Sequence, residues 1–238
     1  MTVDRSVKYD GRVKPCLTRE RLLETAMDLI WTESYGSVGV EEICRAAKIQ
    51  KGSFYHFFPS KTALAVAALS EAWEKHRPQV EGFFLNGPNP VRRLLDYLDF
   101  AIQKQKELRK KFGFFPGCPF TAMGMEQGGR QEILRQTAEK HLDFVRGYFE
   151  QTLIEAVRQG QIRVDSPAET ASDIFSLYLG AFTRLRITNN IRVMETMKAS
   201  TLTLLGLDPK KFLGAGKKTV RAKFKPTLPR LSGELQAK

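Results

Sequence analysis

The stretch from Ser37 to Leu64, SVGVEEICRAAKIQKGSFYHFFPSKTAL, constrains the fold more tightly than any other part of the chain. Val40, Ile43 and Ala47 recur at helical spacing over eight residues, and Phe54 and Phe58 mark a second short segment that begins near Lys51 and stops before Pro59. Only Lys48, Ile49 and Gln50 lie between them. Two short helices joined by about three residues form a helix-turn-helix, in which the second helix is placed to enter the DNA major groove. With Phe54 and Phe58 turned inward beside Ile43 and Ala47, the outward side chains near the start of the second helix are Lys51, Gly52, Ser53 and His56. Lys51 and His56 can donate to guanine acceptors, Ser53 to a base or a phosphate, and Gly52 lets the backbone come close. Tyr55 and Lys61 suit phosphates, and Ser60 caps a following helix whose first N–H groups are open to an anion. Gln50 and Phe57 complete the candidate DNA-binding set. The plainer alternative is a compact three-helix unit with Tyr55 and Phe57 as packing residues and Lys61 as a solvated charge.

A helix is expected from Thr18, as its N-cap, to Tyr35, with Glu20 in its first turn and Gly36 as its stop. Another is expected from Lys61 past Trp73 to about Arg77, as a connector. After Pro78 apolar helical stretches run over roughly 90–110, 130–160, 167–187 and 190–205, and a loop rich in Gly, Pro and Phe separates the first two. No segment alternates for long enough to build a sheet, so the fold class is all-α. The chain divides into a flexible arm at 1–15, a helix-turn-helix domain at 16–76 with its motif at about 39–58, a larger helical domain at 77–206 and a basic flexible tail at 207–238.

Composition narrows the function. With 238 residues, 42% of them hydrophobic, the chain can bury a substantial core. A net charge of +12 and a pI near 9.7 favour a polyanionic partner such as nucleic acid. About +7 of that sits in residues 206–238, so charge alone leaves RNA or a membrane surface open. No apolar run near the start reads as a secretory signal, and none approaches the roughly 18 residues of a membrane span; a cytoplasmic protein without membrane association is expected. Cys16, Cys44 and Cys118 are far apart with no CxxC, which argues against a zinc site or a disulfide framework. His56, His76 and His141 are scattered, neither HExxH nor GxSxG occurs, and Gly128-Gly129 is no phosphate loop. The expectation is therefore not an enzyme, with no cofactor and no metal.

The segment resembles the TetR family of repressors, whose signature falls here on Gly52, Ser53, Phe54, Tyr55, Phe58, Ser60 and Lys61. The resemblance covers about residues 16–76. Two positions depart from it: Lys48 stands where the turn usually has Gly, at on the order of 1 kcal/mol if that site is left-handed, and Gln50 stands where a Ser or Thr cap is usual. What the resemblance implies is a DNA-binding transcriptional regulator acting as a homodimer. It implies a repressor that a small-molecule effector releases from double-stranded operator DNA when the connector helix tilts. A basic helical module that binds protein or RNA without operator specificity is the alternative, and the tail is its best support.

The resemblance also implies that the remaining helices form an effector-binding and dimerisation domain. Ala171, Ile174, Phe175, Tyr178, Leu179 and Phe182, with Ile191, Met194, Met197, Leu202 and Leu205, mark apolar faces that suit a dimer seam, although a plain core reads the same. Phe112, Phe115, Cys118, Met123, Phe144, Tyr148, Phe175 and Tyr178 are the candidate effector-binding set, an aromatic and methionine-rich group suited to a mostly apolar ligand. The Gly117-Cys118 pair resembles that of TetR-type repressors that respond to electrophiles such as acrylate. Basic neighbours Arg109, Lys110 and Lys111 would lower the thiol pKa, with an inert thiol as the alternative.

Overall fold

The computed structural model describes residues 15–214, so all but Pro15 of the expected flexible arm and most of the expected tail lie outside the described residues. Eleven helices and no strand occur among the described residues: α1 (Pro15–Thr32), α2 (Val40–Ala47), α3 (Lys51–Phe57), α4 (Lys61–Phe84), α5 (Pro90–Phe112), α6 (Pro119–Gln127), α7 (Glu132–Arg158), α8 (Pro167–Thr188), α9 (Arg192–Glu195), α10 (Met197–Leu204) and α11 (Pro209–Gly214).

The local signals explain most of these boundaries. Helices α4, α5 and α8 open on Ser60, Asn89 and Ser166, whose side-chain oxygens accept from the N–H groups of Ala63, Arg92 and Glu169. Pro90 and Pro167 then occupy the first turn, where a missing N–H costs nothing. Elsewhere the expected boundaries need correction. Helix α1 begins at Pro15, so Thr18 lies within it and is not its cap; the helix ends at Thr32, and Tyr35 leaves it to bury its ring. Helix α4 does not end near Arg77 but runs through Pro78 to Phe84. Proline there removes one backbone hydrogen bond and costs about 3 kcal/mol. Full burial of Val80 and near-full burial of Phe84 beyond it, at roughly 1.5–3 kcal/mol each, offsets that loss. Helix α6 lies inside the stretch expected to be a loop, and the expected 190–205 helix is broken into α9 and α10. Residues 207–213 are not a free tail: Leu207, Phe212 and Leu213 pack on the body.

Two cores result. The head core gathers Leu22, Leu23 and Ala26 of α1, Ile43 and Ala47 of α2, Phe54 of α3 and Leu64, Ala65 and Leu69 of α4, and it also takes in Met123 of α6 and Leu134 of α7. The body core runs from Trp73, Val80 and Phe84 of α4 through α5, α7 and α8 to Leu202 and Leu205. Helix α4, roughly 36 Å long at 1.5 Å per residue, is therefore shared by both. The residues expected to form a dimer seam belong to the body core instead. Ala171, Ile174, Phe175, Tyr178, Phe182, Met194, Met197, Leu202 and Leu205 are buried within the single chain, and Leu179 and Ile191 are half-buried against them. Apolar periodicity reports the face that is buried, and here the chain's own core buries it.

Candidate nucleic-acid interface and junction cleft

Helix α2 starts at Gly39 with no side-chain cap and buries Ile43, Cys44 and Ala47. Its last turn closes on Lys48, which is left-handed at φ 55° and ψ 47° and donates its N–H to Arg45 O at 3.1 Å. Lysine thus occupies a conformation that glycine adopts without cost. Gln50, extended and without a side-chain bond, precedes α3. Phe54 is completely buried and anchors α3 through its ring contacts with Tyr55 and Phe58.

This anchoring turns one face of α3 outward. Gln50, Lys51, Gly52 and His56 are exposed, as is Tyr55 at 51%, while Ser53 is half-buried at the rim. Phe57 is half-buried, packed on the head core with its ring edge-on to His56. Nothing lies within 4 Å of a Cβ placed on Gly52, and its backbone needs no positive φ. The protein itself therefore does not require glycine there, and the backbone at that point is open to solvent. Lys61 is committed differently from expectation. Its Nζ donates to Tyr35 O at 2.8 Å and Val38 O at 3.0 Å and sits 4.2 Å above the Tyr35 ring, so two of its three donors brace the turn between α1 and α2.

A cleft of about 490 Å³ opens where head meets body, between α1, α4, α6 and α8. Ile30, Trp31, Leu69, Met123 and Phe182 supply apolar wall, and Glu126, Arg186 and Cys118 supply polar groups. Two of these also tie head to body. Glu126 accepts from the N–H groups of Tyr35 at 2.9 Å and Gly36 at 2.6 Å, and Arg186 Nη1 donates to Trp31 O at 3.0 Å and Pro116 O at 3.1 Å. A further tie runs from Tyr35 through the Thr62 hydroxyl to Gln131.

Of the expected effector residues, only Cys118 and Met123 line the cleft. The others are placed differently. Phe112 meets Trp31 edge-on, and Phe115 is buried under the Arg109 guanidinium. Phe144, 40% exposed, stacks on Trp73, and Tyr148 donates to Glu81 at 2.7 Å. Phe175 and Tyr178 are body core, with the Tyr178 and Tyr97 hydroxyls paired at 3.0 Å. Phe115, Phe175 and Tyr178 are packed into the core, while Phe144 and Tyr148 border shallow surface hollows away from the junction cleft. The expectation for the Cys118 thiol also fails: burial pushes its pKa up. Arg109 lies over Phe115, Lys111 is paired with Asp28 at 2.6 Å, and neither acts on the thiol. Trp31, Glu126 and Arg186 escaped sequence reasoning because no local pattern marks residues that meet across separations such as 155 positions.

Among the described residues no helix is long and apolar enough to cross a membrane. Residues 22–68 match the model for bacterial regulatory proteins of the tetR family, and residues 90–201 match that for the tetracyclin repressor-like C-terminal domain. The HTH-type transcriptional repressor NemR of Escherichia coli K12 is 26% identical over 191 residues, spanning 79% of this chain and 94% of the relative. The crystal structure of E. coli NemR in its reduced form shares the fold with a TM-score of 0.69 at 24% identity, over 81% of this chain and 99% of that one. The transcriptional regulator AcuR of Cereibacter sphaeroides is 28% identical over 180 residues, 74% of this chain and 80% of the relative. The HTH-type transcriptional regulator YxaF of Bacillus subtilis is 39% identical over 139 residues, 58% of this chain and 71% of the relative. With the helix-turn-helix at its head and the helical body behind it, the chain belongs to the TetR family and is a DNA-binding transcriptional regulator, not an enzyme.

Proposed function

We propose that the chain is a dimeric, cytoplasmic repressor that binds a two-fold symmetric operator through α3 and leaves it when a small molecule enters the junction cleft. The observation that carries this reading is that one cleft is walled by both head and body, and that its own lining residue Glu126 holds the head's turn at Tyr35 and Gly36. A ligand wedged between α1 and α6 disturbs that hold, and a head that tilts no longer matches the half-site spacing of about 34 Å. Its mostly apolar wall suits a small apolar body, with Glu126 and Arg186 as polar contacts. Cys118 takes part as a lining residue rather than as a resting thiolate. Dimerisation falls to faces that the core leaves exposed, such as that bearing Ser172, Ser176 and Gly180 on α8. At the DNA face, Gln50, Lys51, Gly52, Ser53, Tyr55 and His56 form the contact set, with Phe57 supporting them and Lys61 bracing behind.

Selection from a random-sequence duplex pool tests the reading. A two-fold symmetric site is expected to emerge. Gly52→Ala and Tyr55→Ala should each weaken binding to it at least tenfold. Gly52→Ala should leave the thermal midpoint as high or higher, because alanine favours a helix over glycine by about 1 kcal/mol, and Tyr55→Ala should stay folded despite losing its ring contact with Phe54. Ala122→Trp, which fills the cleft from α6, should mimic the effector and lower operator affinity. Full operator affinity in a folded Ala122→Trp protein would contradict the role of the cleft, and the absence of any enriched site would contradict operator binding.

A further inference from the structure

Lys51 is not an isolated cation on the DNA-facing surface. Its Nζ donates to Glu41 Oε1 at 2.8 Å, bridging α3 to the first turn of α2. Both side chains are largely exposed, at 54% and 82%. Each favours the charged form of the other: the ammonium lowers the carboxyl pKa, and the carboxylate raises the lysine pKa. A solvated pair of this kind adds little to folding, since the attraction is screened and two long side chains lose freedom. Its location gives it a different consequence. A carboxylate beside the N-terminus of α3 stands on the surface offered to a polyanion, where it weakens every contact that depends on charge alone.

A free lysine near the groove is drawn to the nearest phosphate and so adds affinity without sequence information. A tethered ammonium keeps two donors but loses its reach, and those donors then meet only an acceptor presented at the right place, such as guanine O6 or N7. We infer that Glu41 is a specificity-determining residue, which pins Lys51 to α2 so that its ammonium reads a guanine edge in the major groove rather than a phosphate. This rests on α3 being the DNA-reading helix. Glu42, the next residue in the same turn, pairs with Arg45 at 3.6 Å, so it carries the same helix-end charge on a different partner.

The test uses the full chain and its Glu41→Gln, Glu42→Gln and Lys51→Ala variants. Each is titrated with the selected duplex and with a scrambled duplex of equal length over a range of salt concentrations, with thermal midpoints confirming that all are folded. Glu41→Gln should bind the scrambled duplex more tightly at low salt. Its plot of log affinity against log salt should steepen by about 0.9 per recognition helix, as one more phosphate is neutralised. Its ratio of selected to scrambled affinity should fall by about two- to fivefold, the most that one exposed ion pair can enforce. Glu42→Gln should leave that ratio in place. If Lys51→Ala weakens selected-site binding while Glu41→Gln changes neither ratio nor slope, or if Glu42→Gln matches Glu41→Gln, the role of Glu41 is overturned and the DNA face stands. If Lys51→Ala leaves selected-site affinity intact, the DNA face itself is wrong.

Discussion

The contact between Glu126 and the turn at Tyr35 and Gly36 can be measured as a coupling between two positions 90 residues apart. One carboxylate accepts two main-chain N–H groups, at 2.9 and 2.6 Å. A Cβ on Gly36 would lie 2.9 Å from Glu126 Oε1, so Gly36→Ala pushes the carboxylate away without straining the backbone, whose φ is not positive there. Hydrogen bonds to a charged group contribute about 1.5–3 kcal/mol each when sheltered. Gly36 is exposed and Glu126 half-buried, which leaves about 1.5 kcal/mol for the pair of bonds after solvent competition. Glu126→Ala and Gly36→Ala should therefore each destabilise the head by about that amount, and the double variant by little more than either. Urea unfolding of the four proteins gives the cycle. Native-state hydrogen exchange gives its location, with Tyr35 and Gly36 amides losing about tenfold in protection in Glu126→Ala. Strictly additive effects, or unchanged exchange at those two amides, would refute the contact.

Two further outcomes follow from the fold. Lys48→Gly should raise stability by about 0.5–1 kcal/mol, because glycine accepts the left-handed conformation that lysine holds at a cost; a urea midpoint that falls would count against that geometry. Burial, with Lys104 adding to it, lowers the His76 pKa to about 4 from 6.5, so between those values the unfolded chain takes up a proton that the folded one refuses. Stability should fall as pH drops through that window. His76→Phe should make the fall shallower, with His141, also lowered by burial, retaining its own share; thermal midpoints from pH 7 to 4 read this directly, and an unchanged slope would remove His76 as a contributor.

The head was legible because its signals are local. Val40 to Ala47 and Lys51 to Phe57 are bounded by Gly39, Lys48, Gln50 and Pro59, and a few buried residues at helical spacing orient each segment. Helix α6 was hidden by its own composition. Pro119 stands at a helix start, where proline is favoured, but among Gly113, Pro116, Gly117 and Gly124 it reads as a breaker. Pro78 misled in the opposite way, since the burial of Val80 and Phe84 that carries α4 past it is tertiary. Phe175 and Tyr178 show why the expected effector set and the junction cleft share only Cys118 and Met123: an aromatic-rich sequence locates rings, and packing decides whether they enclose space or fill it. The cleft was illegible because its walls come from four helices spread between residues 27 and 187.

The sharing of α4 between two cores, with Met123 and Leu134 inserted from α6 and α7 into the head, bears on how binding specificity can be transplanted. A graft that exchanges residues 1–76 alone would seat a foreign head on side chains shaped for another, and would sever one rod at the proline where it is least able to rejoin. A hybrid that keeps α4 whole to Phe84 and carries the matching residues at 123, 126 and 134 keeps the head core and its turn contacts together. In this chain the head core is not contiguous along the polypeptide, and its last pieces, Met123 and Leu134, arrive some seventy residues after α3 has ended.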